Sequence, residues 1–160
     1  MATSFDVVND LFFKRVINDP DFFEYYGVPD AEVEELMNTN AFDYMIDSIG
    51  TIKLNTNPEV DFDDYDENTR FFGFDFTKTE LQIFADLMFE KFLYRDVAKL
   101  KIYNKHFTSQ EIKLFSPAED RRTFMAMYDK VERKNIRRMR SYNSRDRLTG
   151  ELKSYSTAVV

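Results

Sequence analysis

Three groups of residues in this 160-residue chain have the charge or nucleophilicity to do chemistry. The first is Asp61-Phe62-Asp63-Asp64-Tyr65-Asp66-Glu67, whose acids Asp61, Asp63 and Asp66 superficially resemble a calcium loop. An EF-hand needs Gly at its sixth position for the sharp turn and Glu at its twelfth as bidentate ligand. Counted from Asp61, those positions hold Asp66 and Phe72, so the motif fails and no metal is expected. The second is His106, the only histidine. A hydrolytic triad or a His-rich zinc site would rest entirely on it, yet the chain has no Gly-x-Ser-x-Gly elbow and no His-Glu-x-x-His pair. His106 reads as a loop residue after Lys105. The absence of cysteine excludes disulfides, thiolate metal sites and a Cys nucleophile. Neither phosphate-cradling glycine pattern is present, so no nucleotide cofactor is expected. No carboxylate spacing singles out an acid–base pair, and the chain reads as a non-enzyme.

The third group is cationic. Arg133, Lys134, Arg137, Arg138 and Arg140 lie close together and are followed by Arg145 and Arg147. Such a cluster neutralises phosphates, but the sequence pI is about 4.8, and no helix-turn-helix, zinc-finger or RNP signature accompanies it. The net charge of −7 hides a gradient. Residues 1–70 hold 17 acids and 4 bases, a net of −13; residues 71–115 are nearly balanced; residues 116–160 hold 6 acids and 11 bases, a net of +5. The two ends can attract each other, in one subunit or between neighbours, because charge complementarity guides assembly without nucleic acid.

The elements that must position these groups are mostly helical. Hydrophobic residues make up 43% of the chain, with 17 Phe and 9 Tyr, enough to build a core; Gly and Pro number four each, too few for a turn-rich β fold. Phe5, Val8, Phe12 and Val16 recur at helical spacing over residues 4–18, with Ser4 as cap. Asp21–Tyr26 predicts a short aromatic helix ended by Gly27. Asp30 opens an acid-rich helix that is expected to break near Asn38-Thr39-Asn40, resume at Ala41 with Phe42, Met45, Ile46 and Ile49 on one face, and end at Gly50. Residues 51–76 are irregular; Phe62 and Tyr65 can anchor the acidic run, and Phe72–Phe76 alternates as a short strand would.

Thr77-Lys78-Thr79-Glu80 is a capping box. It opens an apolar helix to about Tyr103, with Leu81, Phe84, Ala85, Met88, Phe92 and Leu93 on one face; apolar most of the way round, it belongs at the centre of the fold. Thr108-Ser109-Gln110-Glu111 and Ser116-Pro117-Ala118-Glu119 are further boxes. The last opens a long helix to about Tyr142, about 40 Å at ~1.5 Å per residue. Its inner face carries Phe124, Met127, Tyr128, Val131, Met139 and Tyr142, and its arginines and lysines lie opposite. Gly150 then releases a tail, Glu151–Val160, suited to a β-like strap. The fold class is therefore mainly α: a helical bundle with one long C-terminal helix, an irregular acidic loop or short β segment, and an extended C-terminal arm. One domain spans residues 1–150 and the arm residues 151–160. No secretory signal is expected from Met-Ala-Thr-Ser-Phe-Asp, and no run approaches ~18 apolar residues, so no membrane span is expected.

This order of parts, with Phe115-Ser116-Pro117-Ala118-Glu119-Asp120-Arg121 and Ser144-Arg145-Asp146-Arg147-Leu148-Thr149-Gly150, resembles the head–tail connector (adaptor or neck) proteins of tailed bacteriophages. The resemblance implies a structural virion protein, assembled in the host cytoplasm and located in the neck. It implies a homo-oligomeric, dodecameric ring between the portal protein and the next tail component, extending a channel through which DNA passes without sequence recognition. It implies a portal- or neighbour-facing arm containing Arg145, Arg147, Leu148, Tyr155 and Val159. Asp61, Asp63, Asp64, Asp66 and Glu67 would then face the channel or a neighbour's basic surface. The alternative reading is a small acidic regulatory protein, either a DNA mimic or one that interacts with nucleic acid.

Overall fold

The structure, a computed structural model, describes residues 2–16, 29–106 and 118–154, excepting the side chains of 30–31, 96–106, 118–121 and 123. It is mainly helical. Four helices occur among the described residues: α1 (Phe5–Val16), α2 (Asp30–Asn55), α3 (Lys78–His106) and α4 (Ala118–Asn143). A two-stranded sheet, β1 (Tyr65–Asp66) and β2 (Phe71–Phe72), lies between α2 and α3 in the chain. The short helix expected at Asp21–Tyr26, the capping box at Thr108 and the Ser116-Pro117 cap fall outside the described residues.

In α1 the expected face is the buried one: Phe5, Val8, Phe12 and Val16 all lose contact with solvent. The backbone N–H of Asp6 donates to Ser4 Oγ at 3.2 Å, consistent with a serine at the start of the helix.

Helix α2 differs from expectation. It runs unbroken through Asn38–Asn40 and past Gly50 to Asn55. The reason is the face it buries: Ala41, Met45, Ile49 and Ile52 all go into the core. A glycine inside a helix costs about 1 kcal/mol, whereas burying one large aliphatic side chain contributes about 2 kcal/mol. Continuing the helix to place Ile52 therefore outweighs stopping at Gly50. Thr56 ends the helix, bonding Ile52 O through both its N–H (2.9 Å) and its hydroxyl (2.7 Å).

The β segment is shorter than the Phe72–Phe76 alternation suggested. Tyr65 pairs with Phe72 and Asp66 with Phe71, antiparallel. Arg70, at φ 59°, turns the chain between the strands, and its N–H donates to Asp66 O at 2.8 Å. The N-terminus adds a third piece of backbone: Ser4 bridges Phe71, Thr3 N–H donates to Phe74 O at 3.1 Å, and Phe72 N–H donates to Thr3 O at 2.9 Å. Phe76 N–H donates to Thr3 Oγ1 at 3.0 Å.

Beneath this sheet sits an aromatic cluster. Phe62, fully buried, packs against Phe74, Phe76 and Phe84 at centroid separations of 5.5, 5.7 and 5.1 Å. Phe72 packs against Phe5 at 5.0 Å and Phe76 at 4.7 Å. These tilted and edge-on separations are those that aromatic quadrupoles favour. Phe62 thus pins the acidic run while Asp61, Asp63, Asp64, Asp66 and Glu67 stay exposed.

Helix α3 is the central element. Ile83, Phe84, Ala85, Leu87, Met88, Phe92 and Leu93 are buried, and the helix packs against α1, α2 and α4. It extends to His106, so this residue belongs to the helix rather than to a loop. Helix α4, 26 residues long, buries Asn135, Met139 and Tyr142 and half-buries Phe124, Tyr128 and Val131. Met127 was expected on that face but is 41% exposed. The inward line runs 124, 128, 131, 135, 139, 142, with a polar residue, Asn135, at its middle.

Candidate functional site

The most tightly built polar site joins the start of α3 to the turn that follows α4. Glu80 closes the expected capping box: Thr77 N–H donates to its Oε2 at 2.7 Å, and its own N–H donates to Thr77 Oγ1 at 3.3 Å. The carboxylate is fully buried and has two further partners. Tyr142 O–H donates to Oε1 at 2.7 Å, and Arg147 donates through Nε to Oε1 at 2.7 Å and through Nη2 to Oε2 at 3.0 Å. A bidentate guanidinium on a buried carboxylate is among the stronger protein contacts. Burial, then the bond to Glu80, raises the Tyr142 phenol above its usual range and keeps it neutral. Burial pulls the Arg147 guanidinium down, but the bond and charge of Glu80 prevail and its pKa is raised.

Arg147 also donates through Nη2 to Asp75 O. It lies 5.9 Å from the Phe74 ring centroid, within cation–π range. Its side chain is only 13% exposed. Arg147 was expected in a partner-facing arm; instead its guanidinium is spent inside the chain, because Glu80 needs a cation once buried.

The rest of the Ser144–Gly150 stretch is a compact turn. Asp146 Oδ1 accepts the N–H groups of Leu148 (3.0 Å) and Thr149 (2.7 Å) and the Thr149 hydroxyl (2.9 Å). These bonds, led by the Thr149 N–H, hold the Asp146 carboxyl below its usual range. Gly150 takes the left-handed φ of 72° that the reversal requires. The chain then folds back rather than leaving: Arg145 bridges Leu152, Asp146 N–H donates to Glu151 O at 2.8 Å, and Lys153 N–H donates to Ser144 O at 2.9 Å. Lys153 Nζ reaches Glu59 at 2.9 Å, and Asn57 N–H donates to Asn143 Oδ1 at 2.8 Å. Arg145 Nη1 donates to Gly150 O at 2.8 Å. Leu148 and Leu152 project from this turn, 80% and 69% exposed. Of the proposed arm, the structure brings Arg145, Arg147 and Leu148 together; Tyr155 and Val159 lie outside the described residues.

A second polar hub is Asp86, whose side chain is 8% exposed. Arg15 of α1 donates through Nε to Oδ1 at 2.7 Å, and Oδ2 takes Arg138 and, at 3.4 Å, Lys134 of α4. Arg15 also donates to Gln82 Oε1 at 2.8 Å. Burial lowers the Arg15 pKa. Arg138 was grouped with the solvated arginines, but it ties α4 to α3. One turn further along α3, Asn135 Nδ2 donates to Asp86 O at 3.0 Å and to Glu90 Oε2 at 2.7 Å. Burial raises the Glu90 carboxyl above its ordinary value, against the Asn135 bond. Neither buried acid was singled out in the sequence, since each sits within an apolar helix and its partners lie far along the chain.

The acidic run is pinned locally. Lys53 of α2 reaches Asp61 at 3.3 Å and also pairs with Asp63. Asp66 Oδ1 accepts Asn68 N–H at 2.8 Å. Among the described residues no group of three or more His, Cys, Asp or Glu is arranged to hold a metal ion. No ion pair joins the acidic run to Arg145 or Arg147 among the described residues.

Two charged faces remain. On α2, Glu32, Glu35, Asp43 and Asp47 are exposed and make no ion pair among the described residues. Beside α2, Glu34, Glu35 and Glu67 line an open cleft of about 580 Å³. On α4, Lys130, Arg133, Arg137 and Arg140 are exposed and equally without an ion pair. Lys130, Arg133, Lys134 and Arg137 border a trough of about 730 Å³ in which Asp129 is the acid.

No family model, no curated protein and no solved structure matches the chain. No helix among the described residues is long and apolar enough to cross a membrane.

Proposed function

We propose that the chain is a structural assembly subunit, a head–tail connector that forms a ring between portal and tail and extends the DNA channel. The observation that carries this reading is the Glu80–Arg147–Tyr142 clamp. It spends buried charge to hold a turn that offers two exposed leucines, Leu148 and Leu152, at the end of the long helix α4. Fixing a turn so firmly while leaving its apolar tips bare suits docking, since preorganised contacts lose less entropy on binding. On this reading Leu148, Leu152 and Arg145, with Tyr155 and Val159 beyond them, make the portal-facing arm, and Arg147 sets the arm's direction. The tail can add a strand to a partner's sheet through main-chain hydrogen bonds. The exposed acids Asp61, Asp63, Asp64, Asp66 and Glu67 face the channel, repelling phosphate so that DNA slides, or meet a neighbour's basic surface.

Removing Glu151–Val160 tests the arm. The truncated chain is expected to fold and to lose docking on portal rings seen by electron microscopy. Docking equal to that of the full chain overturns the reading.

A further inference from the structure

The charges on α2 and α4 form two stripes of opposite sign, the acidic one the longer. Glu32, Glu35, Asp43 and Asp47, with Thr39 between them, advance by three or four residues at a time and cover about a third of the helix circumference over about 22 Å. Lys130, Arg133, Arg137 and Arg140 advance in the same way over about 15 Å of α4. All eight side chains are exposed, and no ion pair links α2 to α4 within the chain among the described residues. Other charges on the same helices do find partners. Lys53 takes Asp61 and Asp63; Lys134 and Arg138 take Asp86. Some charges on these helices are thus paired within the chain, while the acids of the α2 stripe and the bases of the α4 stripe are not, among the described residues.

From this complementarity we propose that the acidic stripe of α2 in one copy lies in the basic trough along α4 of a second copy. Lys130, Arg133, Lys134 and Arg137 border a trough of about 730 Å³ on the basic side of this contact. Because the two stripes sit on different elements, one stripe pair suffices for a head-to-tail, heterologous contact, and the proposed contact takes that arrangement. It leaves one stripe of each sign open at the ends, so it propagates until a ring closes or a filament runs on. A duplex polyanion is the other occupant chemistry offers, but the chain's net charge of −7 opposes it, whereas the acidic stripe is supplied in equal amount by every copy. The contact deepens the connector reading by naming how neighbours meet, and it rests on that reading only for its purpose.

The test uses full-length chains and sedimentation velocity. Wild type is expected to self-associate at low ionic strength and to dissociate as salt rises from about 0.05 M to about 0.5 M, because exposed pairs are screened beyond the Debye length. E35K/D43K and R133E/R137E are each expected to weaken association on the order of 100-fold, since like charges then face each other. Circular dichroism and melting check that both fold. Mixed in equal amounts, they are expected to reassemble in alternation, because each reversed stripe meets its complement. A monomeric wild type at low salt overturns the proposal, as do variants that associate like wild type, or folded variants that stay apart when mixed. It is also overturned if R133E/R137E loses binding to a DNA duplex while self-association is intact. Portal docking is read separately with the arm truncation, so failure of one idea leaves the other standing.

Discussion

Arg147 Nε donates to Glu80 Oε1 at 2.7 Å, clamping the turn after α4 onto the first turn of α3 across 67 residues of sequence. Glu80 is fully buried, so the clamp replaces the water that its carboxylate has lost.

Arg147→Ala leaves that carboxylate in the core without its cation. Breaking one side of a buried pair costs about 3–5 kcal/mol. Denaturant unfolding should show a loss of this size, with Arg147→Lys intermediate because a lysine cannot make the bidentate contact. A loss under about 1 kcal/mol, the range of an exposed pair, would count against the clamp.

Tyr142→Phe keeps the ring and removes the donor to Glu80. A hydrogen bond to a charged acceptor contributes about 1.5–3 kcal/mol, and unfolding curves should move by that amount. The effect should be less than additive with Arg147→Ala, because both act on one carboxylate.

Glu90 makes stability depend on pH. Burial raises its carboxyl in the folded state above the ordinary 4.5, so the folded chain holds this proton more tightly than the unfolded chain. That contribution is complete below the unfolded value and is lost as pH rises through the folded one. Glu90→Gln keeps an acceptor for Asn135 and removes the titration. It should melt above wild type at neutral and alkaline pH, with the difference narrowing towards pH 4.5. A constant difference across the range would exclude this origin.

Phe62→Ala empties the aromatic cluster beneath the sheet. Removing a fully buried phenylalanine costs about 3–5 kcal/mol, measurable by thermal or chemical unfolding. Asp63→Ala, one position on, removes only an exposed pair with Lys53 and should cost less than about 1 kcal/mol.

Leu148→Asp should leave stability within about 0.5 kcal/mol of wild type, as exposed substitutions do, yet abolish docking on a portal ring. Arg147→Lys should show the reverse pattern, losing stability first. The two together separate the residue that presents the turn from the residue that holds it.

Much of the helical order was legible in the sequence because it rests on local periodicity. Phe5, Val8, Phe12 and Val16 are buried as their spacing implies, and Thr77 and Glu80 cap each other within four residues. Gly50 misled because a local breaker was set against a distant gain, the burial of Ile52. The polar hubs were hidden for the same reason in reverse. Asp86 and Glu90 look like solvated residues until Arg15, 71 positions from Asp86, and Asn135, 45 from Glu90, arrive from other helices. Arg147 was singled out in the sequence, but its partner was not, since a cation beside an exposed leucine says nothing of a carboxylate 67 residues away.

One segment carries a mechanical consequence. Thr3 bonds Phe74 and Phe76 from the N-terminal side, while Arg147 bonds Asp75 and Glu80 from the C-terminal side. A force applied between Thr3 and Arg147 is therefore carried across a few residues of backbone, Phe74–Glu80, that reach only the first turn of α3. A subunit pulled from both sides of this segment would load it before the buried faces of the four described helices.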